Sequence, residues 1–339
     1  MPSSPAPSAP SGARRKRLLR WSAVVLVMAG GLFFAGPRNA FGPDVPTERA
    51  RPPAAITQLD DWIALGEAKF ADIRPGNSKS IVWHAGAHVR TPWSVVYLHG
   101  FSASRLETTP LAEQVAQALG ANLFYSRLTG HGRASPGAMG EASVQDWLAD
   151  TVEALRIGQT LGERVLVIGC STGATLATWL ALSPEGANVA AHAFVSPNFG
   201  PRDKRAEIIN GPWGQKIALA LQGPTRGWTP ADAREANAWT TQYPTRALLP
   251  MMALVRHVRD SDMAGFRAPV LMLYSEPDET VDPQQTRAVF DRITSAHKKL
   301  VRVDYSESLG QHVLAGEIRA PNATSPMADT IVQWVRALP

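Results

Sequence analysis

Short apolar runs alternate with amphipathic segments along most of this chain, and this alternation predicts strands separated by helices. The predicted strands are rich in β-branched residues and lie at 80–84, 94–100, 122–126, 165–168, 190–196, 269–274 and 300–304. The predicted helices lie at 56–70, 106–119, 147–161, 174–182, 283–295 and 327–338. Strands that alternate with helices form a mostly parallel sheet with helices on both faces. The pattern therefore predicts a doubly wound α/β domain over residues 56–339.

The alternation stops at about residues 200–266, where Pro, Gly and Trp are frequent and helical patches occur without an obvious strand. Because predicted strands flank this segment, we interpret it as an inserted helical cap. An insertion after the strand at 190–196 would arch over the carboxyl edge of the sheet, where ligands bind in open α/β sheets. Trp213, Trp228 and Trp239 are candidates for lining a substrate pocket under this cap. The alternative is that these rings form the core of the cap itself.

The chain begins with a basic stretch rich in Pro and Ser, residues 1–20, which we predict to be disordered. It contains five Arg and Lys residues and no acid, and it precedes an apolar segment at 21–36. A basic flank before an apolar segment is typical of a membrane anchor or a signal segment, with the N-terminus in the cytoplasm. Both interpretations place the folded domain outside the cytoplasm, either anchored to the membrane or secreted after cleavage.

The apolar segment is short for a membrane span, since about 20 residues are needed to cross a bilayer. Its apolar run extends from Trp21 to Ala35. Cleavage after Gly31 would leave Leu32 and its apolar neighbours at the new N-terminus, so the sequence favours an uncleaved anchor over a cleaved signal. Residues 37–55 are rich in Pro and Arg without periodicity, and we predict that they link the anchor to the domain.

The net charge of +5 does not indicate a nucleic-acid partner. It equals the charge of the five basic residues at 14–20, so the rest of the chain is close to neutral. Cys170 is the single cysteine, which excludes an intrachain disulfide, and no Cys or His pairs have the spacing of a metal site. The sequence therefore predicts no metal and no cofactor.

The strand at 165–168 runs directly into the turn Gly169-Cys-Ser-Thr-Gly173, and an Ala-rich helix follows it. A strand, a tight G-x-S-x-G turn and a helix form a nucleophile elbow, in which the serine takes a strained backbone conformation. Gly169 and Gly173 let the strand and the helix approach each other closely. Ser171 would then stand exposed above the sheet, which makes it the candidate nucleophile.

A serine nucleophile needs a base within hydrogen-bond reach and an acid that holds the tautomer of that base. In a doubly wound sheet both groups should lie just past strand ends, at the carboxyl edge. Asp278 follows the strand at 269–274 and is the candidate acid. Glu276 and Asp282 are the alternatives in the same loop.

The candidate base is His312, which follows the strand at 300–304. His297 is the alternative, although residues 296–299 have the composition of a solvated helix end. The nucleophile, acid and base then occur in the chain order Ser, Asp, His, which is the order that elbow-type hydrolases use.

With these motifs the chain resembles the α/β-hydrolase superfamily, and within it the monoglyceride-lipase and carboxylesterase-like branch, over roughly residues 80–338. The resemblance rests on His99-Gly100-Phe101, Gly130-His131-Gly132, the G-C-S-T-G turn, Asp278 with Val281, and His312. It implies that the backbone N–H groups of Phe101 and Thr172 form an oxyanion hole. His99 and His131 are expected to stabilise loops, and Cys170 to be a small packed residue.

The resemblance implies a serine hydrolase that cleaves carboxylic esters, of acylglycerols or other acyl compounds, through an acyl-enzyme intermediate. A small-molecule or lipid ester is then the expected partner, in addition to the membrane at the N-terminal segment. A thioesterase, an amidase or an acyltransferase would use the same residues. A binding protein on a hydrolase fold is a further alternative, which the complete set of Ser, Asp and His disfavours.

Overall fold

A computed structural model describes residues 12–84 and 86–339. The predicted disorder of residues 1–11 lies outside this described part. The strands are β1 (Ser80–Val82), β2 (Thr91–Leu98), β3 (Asn122–Tyr125), β4 (Gly162–Cys170), β5 (Ala191–Val195), β6 (Thr225–Gly227), β7 (Gln242–Pro244), β8 (Val270–Tyr274) and β9 (Lys298–Arg302). The helices are α1 (Gly12–Phe34), α2 (Leu59–Glu67), α3 (Leu111–Leu119), α4 (Val144–Leu161), α5 (Thr172–Leu182), α6 (Gly214–Gln222), α7 (Ala233–Ala238), α8 (Leu248–Asp260), α9 (Pro283–Arg292) and α10 (Pro321–Arg336).

Seven of these strands form one sheet in the order β1-β3-β2-β4-β5-β8-β9. Every pairing in this sheet is parallel except that of β1 with β3. After β2 the chain first adds β3 on one side and then returns to add β4 on the other, so the winding direction reverses between β2 and β4. The doubly wound α/β fold predicted from the sequence is thereby confirmed, and ligands bind at such a reversal point.

The central strands are apolar on both faces because helices cover both sides of the sheet. On β4, Val165 and Val167 belong to the core shared with α4 and α5. The alternate residues Leu166 and Ile168 belong to the second core, shared with α3 and α10. Because successive residues from Val165 to Ile168 point into the two apolar cores in turn, each of them is apolar. This part of the strand therefore appears in the sequence as a continuous apolar run.

Several element boundaries differ from the prediction by a few residues, and two differences from the predicted elements have identifiable reasons. The helix predicted to begin at 106 begins at Leu111, since Pro110 disfavours helical conformation in the residue before it. In the cap, where the sequence has no obvious strand, β6 and β7 form a two-stranded antiparallel sheet. Each of these strands has three residues, which is too short for an alternating pattern to be detected.

Residues 37–55, predicted to be a linker, contain no helix or strand but are bonded to the domain. The Asn39 side chain donates to the Leu249 carbonyl at 2.8 Å. The indole N–H of Trp179 donates to Asp44 at 2.6 Å. This segment therefore lies along the body of the domain.

The N-terminal helix α1 begins at Gly12, within the stretch 1–20 that we predicted to be disordered. Its portion Arg15–Phe34 has 20 residues, none of them buried, and is long and apolar enough to cross a membrane. A signal sequence near an N-terminus has the same length and composition, so this helix is compatible with either an anchor or a signal.

Candidate active site

The turn between β4 and α5 holds Ser171 in a strained conformation, with φ 51° and ψ −115°. A Cβ atom at Gly173 would lie 2.0 Å from the carbonyl oxygen of Leu98, and one at Gly169 would lie 2.7 Å from Ala174. Both distances are below van der Waals contact, so side chains at these two positions would force β4, β2 and α5 apart. The two glycines therefore allow the tight turn that raises Ser171 above the carboxyl edge of the sheet.

Ser171, His312 and Asp278 lie in one hydrogen-bonded chain. His312 Nε2 is 3.0 Å from Ser171 Oγ, and His312 Nδ1 is 2.8 Å from Asp278 Oδ2. Because a carboxylate accepts, Nδ1 carries the proton and Nε2 is free to accept the serine proton. The other oxygen of Asp278 accepts the N–H groups of Thr280 and Val281, at 2.8 and 2.9 Å, which fixes the carboxylate.

The alternative acids and the alternative base lie elsewhere. Glu276 is ion-paired with Arg287. Asp282 caps α9 by accepting from the N–H of Gln284 at 2.9 Å. His297 is exposed at the start of β9, on the amino edge of the sheet, opposite the edge that carries Ser171. The segment 296–299, which we predicted to be a solvated helix end, enters this strand.

Gln311 fixes the loop before His312 and was missed in the sequence analysis. Its amide donates to the carbonyls of Ser306 and Ser308, at 2.7 and 2.9 Å. Its oxygen accepts from the hydroxyl of Ser275, at 2.9 Å, in the loop that also carries Asp278. This side chain therefore joins the loop of the acid to the loop of the base. The only indication of this role in the sequence is that Gln311 directly precedes His312.

The N–H groups of Phe101 and Thr172 are available to a ligand. Thr172 begins α5, so its N–H has no partner within the helix. Within residues 12–84 and 86–339, neither N–H donates to another protein group. Thr172 directly follows Ser171, and Phe101 lies in the loop after β2. An oxyanion hole takes its N–H groups from these two places.

His99 fixes the loop that carries Phe101. Its Nε2 accepts the N–H of Leu128 at 3.0 Å, so the proton is on Nδ1, which donates to the carbonyl of Gly100 at 2.9 Å. Burial lowers the pKa of His99 to about 4, which keeps the ring neutral with both bonds intact. The ring of His131 lies beside it, with 5.1 Å between the ring centroids. Both histidines have loop contacts of the kind expected.

Glu107 lies behind this loop and was not recognised from the sequence. Its Oε1 accepts the N–H of Gly100 at 2.7 Å and the hydroxyl of Tyr97 at 3.0 Å. Its Oε2 would lie 2.9 Å from a Cβ at Gly100, and Ser171 Cβ would lie 3.2 Å from the same atom. Burial raises the pKa of the Glu107 carboxyl to about 7. Glu107 therefore fixes the loop that carries the N–H of Phe101.

We expect Glu107→Gln to flatten the pH dependence of stability. A pKa raised from about 4.5 to about 7 means that the protonated carboxyl favours folding, and that stability is lost as pH rises between these values. The loss is on the order of 3 kcal/mol. Glutamine stays neutral and keeps an oxygen for Gly100 and Tyr97. Denaturant unfolding should be measured from pH 4 to pH 8. The difference in unfolding free energy between the variant and the wild type should grow by this amount over that range.

The exposed Glu185 provides the matched control, since Glu185→Gln removes a carboxyl without touching this network. Its unfolding free energy should run parallel to that of the wild type across the same pH range. A parallel profile for Glu107→Gln as well would contradict the assigned environment of the Glu107 carboxyl.

Ser171 and His312 open into a cavity of about 850 Å³ beneath the cap. Its lining is mostly apolar and includes Ile209, Ala218, Trp228, Trp239, Tyr243, Leu248, Met251 and Met252. Asn198 also lines it and holds the elbow, since its N–H donates to the carbonyl of Ser171 at 3.2 Å. Two of the three candidate tryptophans, Trp228 and Trp239, border this cavity.

Trp213 does not line the cavity, which corrects the prediction for this residue. Its indole N–H donates to the carbonyl of Phe33 at 3.0 Å, so the ring packs against the end of α1. Trp213 precedes α6 with a positive φ of 59°, and this conformation places its ring on the side of the cap that faces α1.

Cys170 is fully buried, and burial raises the pKa of its thiol well above the ordinary value. A protonated, inaccessible thiol is a packed residue, as predicted, and does not act as a nucleophile. Among the residues that the structure describes, no cluster of three His, Cys, Asp or Glu side chains is arranged for a metal ion.

Comparison with known proteins places this site in a family. The sequence profile of the family described as serine aminopeptidase, S33, matches residues 90–306. A thermostable monoacylglycerol lipase of Bacillus sp. (strain H-257) is 26% identical over 220 residues, which cover 62% of this chain and 81% of the lipase.

Two solved structures share the fold. One, from work on the metagenome-derived lipolytic enzymes LipS and LipT, has a TM-score of 0.64 and 21% identity, and the match covers 78% of this chain and 100% of that one. A soluble variant of monoglyceride lipase from Saccharomyces cerevisiae, in complex with a substrate analog, has a TM-score of 0.59 and 14% identity, over 76% of this chain and 90% of that one.

The profile match extends from the residue before β2 to the loop after β9 and includes Ser171 and Asp278. The resemblance to the monoglyceride-lipase branch that the motifs indicate is confirmed. This chain belongs to the serine aminopeptidase S33 family of α/β-hydrolases.

Proposed function

We propose that this protein is a serine hydrolase that cleaves carboxylic esters, with Ser171 as nucleophile, His312 as base and Asp278 as its orienting acid. The observation that carries the proposal is the continuous hydrogen-bonded chain of these three side chains at the base of a cavity. A nucleophile, a base and an orienting group within hydrogen-bond reach are what acyl transfer requires.

In the proposed reaction His312 Nε2 takes the proton of Ser171 as Oγ attacks the ester carbonyl. The N–H groups of Phe101 and Thr172 stabilise the oxyanion, each by about 3 kcal/mol. His312 then protonates the leaving alcohol, and an acyl-enzyme remains on Ser171. Water, deprotonated by the same nitrogen, attacks the acyl group, and the acid and free Ser171 are released.

An ester of an apolar acid fits the cavity better than a peptide amine does, although the family is described as aminopeptidases. An aminopeptidase must bind a free ammonium group, which needs a carboxylate that is shielded from water. The acids that line the cavity are Asp203 and Glu279, both exposed, and Asp203 is bound to Arg205 at 2.9 Å. Arg226 adds positive charge to the lining, whereas Arg319 is ion-paired with Glu235. The lipolytic relatives support the same preference.

We also propose that α1 anchors the protein in a membrane, with the hydrolase domain outside the cytoplasm. The helix is long enough to span, and the basic residues Arg15, Lys16, Arg17 and Arg20 lie in its first half. By the positive-inside rule this half faces the cytoplasm. Fractionation and protease accessibility of the intact chain test the orientation, and recovery of a soluble form that begins near Leu32 would indicate a cleaved signal.

The catalytic proposal is tested by labelling with a fluorophosphonate probe, which reacts with activated serines, and by hydrolysis of p-nitrophenyl esters. Labelling at Ser171 with ester turnover supports the proposal. A folded protein that is neither labelled nor active on esters, or one that prefers an aminoacyl p-nitroanilide, would contradict it.

The apolar lining predicts a preference for medium-chain esters. Each methylene buried in the cavity contributes up to about 0.8 kcal/mol, which is roughly a fourfold gain in kcat/KM. Esters of roughly six to twelve carbons should therefore be hydrolysed better than acetate esters. A panel of p-nitrophenyl esters of increasing length in detergent measures this profile.

Two cap tryptophans make a matched pair for this experiment. Trp228→Ala removes a ring from the cavity and should flatten the dependence on chain length. Trp213→Ala removes a ring that lies outside the cavity and should leave the profile unchanged. A wild-type profile that is flat or falls from acetate onward would mean that the substrate is small or polar.

A further inference from the structure

The apolar helix α1 is joined to the cap without a spacer. The ring of Trp213 donates to the carbonyl of Phe33 at 3.0 Å, and its backbone N–H donates to the carbonyl of Pro37 at 2.8 Å. A Cβ at Gly36 would lie 2.1 Å from the indole nitrogen, so the chain and the ring are in direct contact. The last turn of α1 is therefore fixed to the residue that precedes α6.

This contact limits how far the cap can stand from a membrane. The helix Arg15–Phe34 has 20 residues and is about 30 Å long, and its apolar part from Trp21 to Phe34 is about 21 Å long. The basic side chains before Trp21 can then reach the cytoplasmic headgroups while Phe33 lies near the outer face. If α1 spans the bilayer, Phe33 lies at the outer face of the membrane. Trp213 donates to the Phe33 carbonyl and therefore lies at the same level. Tryptophan is enriched at this level of a bilayer. The start of α6 must then lie at the membrane surface.

Helix α6 exposes large apolar residues, which is unusual for a helix that faces water. Ala218 is buried in the cap, whereas Leu219 is 37% exposed and Leu221 is 74% exposed. Ile208, just before this helix, is 47% exposed. A water-facing amphipathic helix buries its large apolar residues. Among the residues that the structure describes, none covers these two leucines fully.

The charge of the same region is uniformly positive. Residues 208–231 contain no Asp or Glu, and Lys216 and Arg226, both exposed, are the charged residues of this stretch. The ammonium group of Lys216 lies 5.0 Å from the ring centre of Trp213. An apolar surface with a tryptophan and basic residues fits the headgroup region of an anionic bilayer.

We propose that the cap rests in the interface of a lipid bilayer through the surface formed by Ile208, Trp213, Lys216, Leu219 and Leu221. The proposal rests on the membrane anchoring of α1 proposed above. Ile208 and Leu221 also line the cavity that contains Ser171, so the cavity opens toward the lipid. An acyl ester then passes from the bilayer to Ser171 without crossing water.

The test is environment-sensitive labelling of the full chain in vesicles of phosphatidylcholine and phosphatidylglycerol. An NBD label is attached at Leu219→Cys and, as a control, at Glu163→Cys, while the native Cys170 is buried. Glu163 is exposed near the start of β4, eight residues before Ser171, which places it about 25 Å away on the opposite edge of the sheet.

We expect the label at position 219 to shift to shorter wavelength and to be quenched by lipid-attached spin labels, and the label at 163 to remain in water. Equal, water-like spectra at both positions in vesicle-bound protein would overturn the proposal. Protein that fails to sediment with vesicles would overturn the anchoring and this proposal together. Neither readout depends on ester hydrolysis, so a failure of the catalytic proposal is seen separately.

A matched pair of charge reversals adds a functional readout. Lys216→Glu places an acid on the proposed surface, whereas Lys299→Glu makes the same change on β9, and both lysines are exposed and lie outside the cavity. Lys216→Glu should lower hydrolysis of a monoacylglycerol embedded in anionic vesicles roughly tenfold. Hydrolysis of water-soluble p-nitrophenyl butyrate should be unchanged in both variants. Equal vesicle activity of the two variants would count against the proposal.

Discussion

Ser171→Ala should lower the rate of ester hydrolysis by about six orders of magnitude, the usual cost of removing the nucleophile of a serine hydrolase. The reason is that Oγ forms the bond to the acyl group, and His312 cannot replace it. Fluorophosphonate labelling should be lost as well. The measurement is kcat on a p-nitrophenyl ester together with in-gel labelling.

The variant should remain folded, because the Ser171 hydroxyl bonds the His312 ring at the cavity floor and the backbone strain is the same for Ala as for Ser. A change in unfolding free energy within about 1 kcal/mol is expected. Ser183→Ala is the matched control, since that hydroxyl bonds the carbonyl of Leu180 and lies outside the cavity. Undiminished labelling of folded Ser171→Ala protein would reject Ser171 as the nucleophile.

The sheet and the three residues of the proposed triad could be predicted because both have local signals. Strands covered on both faces are runs of apolar residues, as on β4, and the run there leads directly into the glycine-flanked serine. Asp278 and His312 each follow a strand, and parallel strands bring their carboxyl ends to one edge. The winding reversal between β2 and β4 then places the loop of Phe101 beside the elbow.

The residues that support the site could not be predicted because their roles come from contacts between distant segments. Glu107 ends a short 3-10 helix and resembles a surface acid in the sequence. It is buried, and its bonds to Tyr97 on β2 and to Gly100 form only in the folded chain. Gln311 likewise has no motif of its own, since its partner Ser275 is 36 residues away.

The same reason applies to Trp213 in the cap and to residues 37–55. Trp213 is a large aromatic residue in the cap, as a pocket residue would be. Its contact with Phe33 joins positions 180 residues apart in the sequence. The segment 37–55 lacks periodicity, which is why the sequence predicts a linker there. Its contacts with α5 and α8 are made by single side chains, which leave no repeating pattern in the sequence.

Asp278→Asn should lower kcat by about four orders of magnitude while the fold is kept. The N–H groups of Thr280 and Val281 both donate to Oδ1, so in the variant the amide oxygen must occupy that position. The amide nitrogen then faces Nδ1 of His312, and two donors cannot share a hydrogen bond. The histidine is forced into the tautomer that carries its proton on Nε2, and this nitrogen can no longer accept the proton of Ser171.

The neighbouring acids supply controls within the same loop. Asp282→Asn keeps an oxygen for the N-terminus of α9, and Glu276→Gln weakens an ion pair with Arg287 near the surface. Both should change kcat by less than about tenfold. Thermal unfolding of all three variants separates a loss of catalysis from a loss of fold. If Asp282→Asn or Glu276→Gln inactivated the enzyme while Asp278→Asn did not, the orienting acid would be another residue, and the tautomer argument would fail with it.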